Sequence, residues 1–169
     1  MTEKDFDNAA SFWSKKDKDS ARMEKKDIES WIDSFLSSHK VLSLATGADG
    51  VERCTPLEYS WFSSALWIFS EGGEKFSLLK KNRNVGAAVF DLNTSFAGLK
   101  SLQIQGKAEF PELFGEEYKK AAETRKIPLD ALKKLPEPMW LIKITPEKII
   151  CLDSDFKKNG FGIRQIWKA

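Results

Sequence analysis

The sequence predicts a mostly β domain with packed helices, in α+β terms a small β-barrel, and three observations carry that reading. Short runs with a two-residue hydrophobic period recur between about residues 41 and 167, each bounded by turn residues. The chain has 169 residues, the size of one ordinary domain, which can bury a core without metal or disulfide staples. Barrel closure removes the exposed edges that so many separate hairpins would leave.

The elements follow in order. Residues 1–22 are polar and mixed in charge, with Phe6, Phe12 and Trp13 as their apolar anchors, and are expected to form an arm ahead of a domain over 23–169. From Met23, the positions Ile28, Trp31, Ile32, Phe35 and Leu36 recur at spacings of three and four, which predicts an amphipathic helix ending near His39. Strands are predicted at Val41–Thr46, Val51–Trp61 and Leu66–Ser70, the first two joined by the turn Gly47-Ala48-Asp49-Gly50. A short helix from Glu74 to Asn82 precedes strands at Val85–Asp91 and Leu99–Phe110. Helices at Gly115–Thr124 and Leu129–Leu135 follow, punctuated by Pro128, Pro136 and Pro138. Strands at Met139–Ile144, Lys148–Asp153 and Phe161–Trp167 close the chain.

Bulk composition narrows the function classes. Lys and Arg total 27 against 25 Asp and Glu, so the net charge of +2 gives no electrostatic reason to expect nucleic acid or a membrane surface as partner. Two cysteines, Cys54 and Cys151, form no CxxC, and no long apolar span or signal peptide is evident; the expectation is a reduced, cytoplasmic protein. A single histidine disfavours a zinc centre of the usual kind. Six Trp and twelve Phe provide flat rings that can pack a core or flank a planar ligand.

The chemistry-bearing residues cluster between Val51 and Lys75. Arg53-Cys54-Thr55-Pro56 lies within a strand, and Pro56, lacking an N–H, marks an edge or a bulge where backbone groups are open to a ligand. The strand Leu66–Ser70 runs into Glu71-Gly72-Gly73-Glu74-Lys75, a glycine turn that delivers Lys75 at a helix start. An Arg, a Lys and free N–H groups together suit a phosphate, although the same glycines equally suit a plain turn with Lys75 solvated. Ser101, Gln103 and Gln105 alternate with Leu102 and Ile104, which places two amides on one strand face, fit for a heterocycle edge or for solvent. His39 at a helix end suits capping better than catalysis. No G-x-S-x-G elbow, Walker loop or G-x-G-x-x-G turn is present.

In order, V-L-S-L-A-T, D-G, R-C-T-P-L, L-W-I-F-S, Lys75, L-L-K-K-N-R-N-V and L-Q-I-Q-G-K-A-E resemble the pyridoxamine 5′-phosphate oxidase-like FMN-binding split barrels over about residues 28–110. The ending P-M-W-L-I-K-I-T-P-E-K-I-I-C-L-D and G-F-G-I-R-Q-I-W is similar to that of short bacterial relatives without assigned function. The resemblance implies a homodimer with FMN at its interface. It places the phosphate on Arg53 and Lys75, the ring along Cys54, Thr55 and Pro56 and near Phe69 and Ser70, and Ser101 or Gln103 reaching over from the second subunit. FAD is disfavoured for want of a Rossmann-type pyrophosphate site.

Departures from the oxidase pattern define what is not expected. Glu58 stands where the oxidase has a second basic residue, Glu74 stands in place of an Arg, and the C-terminal R-x-H substrate motif is missing beside Arg164. The expectation is at most a general flavin-dependent oxidoreductase of weak activity, not a pyridoxamine phosphate oxidase. Trp167 is expected either to wall the flavin or to seal the core. The competing readings are a flavin-free dimeric interaction module and a deazaflavin or haem protein of the same fold, one His making haem ligation the poorer fit.

Overall fold

The computed structural model describes residues 1–92 and 98–169, and all of their side chains except those of Trp13, Ser14 and Lys18. Its centre is an antiparallel sheet built from β1 (Val41–Ala48), β2 (Val51–Glu58), β3 (Ser60–Phe62), β4 (Ala65–Ser70), β5 (Asn84–Phe90), β6 (Ser101–Glu109), β7 (Trp140–Leu152) and β8 (Arg164–Lys168). The path is β2-β1-β5-β6-β7-β4-β3, with β8 paired to β7. β2 lies at one end of it, which is where Pro56 can sit opposite Ser43 without breaking a central ladder.

Alternation sets two faces. Leu42 and Leu44 of β1, Val85, Ala87 and Val89 of β5, Leu102 and Ile104 of β6, and Ile149 and Cys151 of β7 point inward. Helix α2 (Lys25–Ser38) closes this core with Ile28, Ile32, Phe35 and Leu36, the stripe that the sequence predicts. Tyr59 is fully buried where β2 gives way to β3, its hydroxyl donating to Leu36 O at 2.8 Å; that anchor is why the predicted strand Val51–Trp61 is two strands.

A second, smaller core covers the outer face at the other end of the sheet. Trp67 and Leu141 pack under α4 (Glu116–Thr124) and α5 (Leu129–Lys133), against Tyr118, Ala121, Ala122 and Leu132. Among the described residues the outer face of β2, β1, β5 and β6 has no such cover: Ala45, Cys54, Pro56, Gln103 and Gln105 are exposed there, and so are Val41 and Phe90.

Three further expectations are revised by the structure. The segments Met139–Ile144 and Lys148–Asp153 form the single 13-residue strand β7, with Pro146 inside it. A register shift makes this possible, because Gln105 faces Lys148 while Gly106 faces Pro146, so Glu147 bulges out of the ladder. A side chain at Gly106 would meet Thr145 O at 2.4 Å, so this close approach demands glycine. The last predicted strand shortens to Arg164–Lys168, preceded by a 3-10 turn at Ser154–Asn159.

The third revision concerns the arm, within which Glu3–Lys18 is a helix, α1, started by a Thr2/Asp5 capping box. Phe6 and Phe12 are more than half exposed, and the side chain of Trp13, the third predicted anchor, lies outside those described. The described fastening is polar. Asp17 Oδ2 accepts from Arg164 Nη1 at 3.0 Å, and Arg22 donates to Asp17 O and to Arg164 O. Gln165, almost fully buried, satisfies its amide on Met23 N, Ala21 O and Gly162 O.

Candidate functional site

The turn between β4 and α3 (Lys75–Lys81) brings together residues from two strands and a loop. Ser70, at the end of β4, is buried, and its hydroxyl accepts from Gly72 N at 3.3 Å. Gly72 and Gly73 have φ of 122° and 95°, a region that side chains disfavour, and this turn folds Lys75 back over the loop. Lys75 is only 8% exposed, and its Nζ donates to Gly72 O. Burial depresses its pKa first and the positive charge of Arg53 depresses it further, with Glu71 opposing both. Two cations are therefore held close together, one of them buried.

Arg53 comes from β2, directly opposite Thr46 of β1 and on the same, inward side. Its guanidinium is paired with Glu74. Thr46 is 3% exposed, and its Oγ1 is the one buried side-chain polar atom without a hydrogen-bond partner among the described residues. A guanidinium, an ammonium, two hydroxyls and the open glycine turn make a donor set that fits a phosphate monoester. Because α3 has only seven residues, the anion site rests on side chains rather than on a helix dipole.

The remaining predicted residues separate by face. Cys54 and Pro56 lie on the outer side of β2, opposite Ala45 and Ser43. Ser101 and Gln103 occupy the same outer side three strands further on, in β6, opposite Phe90 and Ala88. Thr55 turns inward beside Leu44 and is half-buried. Phe69 points into the smaller core, edge-on to Tyr118 with centroids 5.2 Å apart. Trp167 is not with Arg53 and Lys75: it packs on α2, and its Nε1 donates to Glu29 Oε1 at 2.9 Å. Cys151 is fully buried in the main core, and desolvation pushes its thiol up to about 12, which leaves it inert.

Both carboxylates that depart from the oxidase pattern are engaged in ion pairs. Glu58 pairs with Arg125 at the end of α4, on the outer side of β2, and Glu74 pairs with Arg53. Sequence reasoning could not pair Glu58 with Arg125, 67 residues away, since nothing local links them. His39 caps α2 as expected, its Nδ1 lying 2.8 Å from Phe35 O, and its Nε2 meets Asp91 Oδ1 at 2.9 Å.

This half-barrel sheet, with a helix lid inside and helices on one outer end, is a split-barrel fold shared with solved structures of several described functions. Its counterparts are specific. A candidate pyridoxamine 5′-phosphate oxidase from Listeria innocua superposes with a TM-score of 0.60 at 23% identity, over 75% of this chain and 99% of that one. A protein described as FAD-binding from Mesorhizobium loti gives 0.58 at 22% identity, over 77% and 93%. HutZ from Vibrio cholerae, described as a haem-storage protein, gives 0.58 at 20% identity, over 70% and 89%. No family model and no curated protein matches the sequence.

Proposed function

We propose that the chain is a flavin-binding protein that holds FMN with its phosphate between Arg53 and Lys75, at the interface of a homodimer. The observation that carries this reading is the buried Lys75 ammonium placed beside Arg53, an arrangement unfavourable by itself and relieved by a bound anion. The split-barrel fold supports flavin as the molecule that brings the anion. A second copy would cover the outer sheet face, where Cys54, Pro56 and Gln103 are exposed with Val41 and Phe90.

When bound, the flavin supplies the redox chemistry, and the chain supplies phosphate binding and a shaped, partly apolar surface. Oxidoreductase activity is proposed as general and weak, since Glu58 and Glu74 bring negative charge where a phosphorylated substrate needs cations. The proposed compartment is the cytoplasm, where Cys54 and Cys151 would stay reduced. Among the described residues, no helix is long and apolar enough to cross a membrane.

Replacing Lys75 with Ala removes a charge-assisted bond of about 1.5–3 kcal/mol, so FMN affinity should fall roughly ten- to a hundredfold. Equal affinities for the two proteins in a fluorescence titration would refute the assignment. The same titration with FAD separates the two flavins, a comparison that the Mesorhizobium protein makes necessary. Haem is the second reading, favoured by the likeness to HutZ. Against it stands His39, both of whose ring nitrogens already have partners, so that ligation would break one contact.

A further inference from the structure

The turn that carries Lys75 also carries a carboxylate in contact with the other cation. Glu74 stands at the N-cap position of α3, yet its side chain makes no capping hydrogen bond, and its Oε2 is paired instead with Arg53 Nη1. The pair is solvent-accessible, Glu74 at 73% and Arg53 at 45%, so it is a weak one that a more highly charged anion can displace. Glu71 adds a second negative charge close enough to act on Lys75. The two cations thus face two carboxylates in a site whose buried Thr46 hydroxyl has no partner.

We infer that Glu74 is an internal counter-anion that competes with the ligand phosphate for Arg53 and so sets the phosphate affinity of this site. This rests on the reading of Arg53 and Lys75 as the phosphate site. A dianionic phosphate monoester must displace Glu74 from Arg53 and then remain near a displaced, still charged carboxylate. An uncharged ligand end pays neither penalty. The site therefore discriminates less sharply between a phosphorylated ligand and its unphosphorylated form than Arg53 and Lys75 alone would allow, and Glu74 is the residue responsible. Glu58 makes a similar ion pair on the outer side of β2, with Arg125 rather than Arg53, and serves as the internal control.

The test compares parent, Glu74→Gln, Glu58→Gln, Lys75→Ala and Glu74→Gln/Lys75→Ala proteins by flavin-fluorescence titration with FMN and with riboflavin at low salt. Glu74→Gln should tighten FMN about three- to tenfold and leave riboflavin unchanged. Glu58→Gln should change neither, and the double variant should bind FMN more tightly than Lys75→Ala alone, since Glu74 acts through Arg53. Unchanged or weaker FMN binding by Glu74→Gln would overturn the inference, since the latter would make Glu74 a support for Arg53. Equal tightening of FMN and riboflavin would overturn it too. Should neither flavin bind, the FMN reading fails on its own, and inorganic phosphate then decides this one. A larger phosphate-induced rise in melting temperature for Glu74→Gln than for the parent upholds it, and equal rises sink it.

Discussion

Asp155 shows how single residues tie neighbouring strand ends together, here the start of β6 and the end of β7. Hydrogen bonds from Lys100 and then Lys158 hold its carboxyl down at about 2, and Lys100 also reaches the buried Asp153, which accepts from Trp31 Nε1. A depressed carboxylate stabilises the fold above its unfolded value near 3.8 and loses that contribution as pH falls toward 2. Asp155→Asn should therefore flatten the stability profile between those values, which denaturant melts across that window would reveal. Unaltered curvature would remove Asp155 from the account. Gly106→Ala acts through space instead, forcing a methyl onto Thr145 O, and should cost about 1–3 kcal/mol in the same melts. At this scale Arg53 and Lys75 were legible because a glycine turn and an edge proline announce them locally. Asp17, Arg125 and Gln165 were not, because their partners lie 67 to 147 residues away.

Among the elements, the helix α2 and the strand alternation of β1, β5 and β6 followed from period alone, since each buries one stripe. β7 did not, because Pro146 reads as a strand breaker until the bulge at Glu147 is known. α1 was hidden for a different reason: its segment is mostly charged and polar, and its described contacts with the domain are polar. The C-terminal F-G-I-R-Q-I-W segment, suspected of walling a pocket, fastens that helix through Gly162, Arg164 and Gln165 while Trp167 packs on α2. Arg164→Ala should then loosen residues 1–22 selectively. Limited proteolysis should cut the arm faster while the sheet domain survives; parallel loss of both would mean the contact supports the whole fold.

Among the described residues one outer sheet surface is covered and one uncovered, and the proposed homodimer would place the uncovered one between two copies. Light scattering should give twice the 19.2 kDa chain mass at micromolar protein, and a single-chain mass would contradict that face's role. With FMN loaded, pyridoxamine 5′-phosphate and oxygen should give turnover well below the usual enzymatic range of about 1 s⁻¹ or more. The cation pair, the orphaned Thr46 hydroxyl and the fold support the proposal that this chain carries a flavin. The visible spectrum of the purified protein, after incubation with FMN and removal of excess, tests it most directly. The account predicts a yellow protein with a band near ~450 nm and about one flavin per chain, reduced sharply in Lys75→Ala. A colourless protein, or an intense band near ~400 nm after haem is offered in competition, would contradict it.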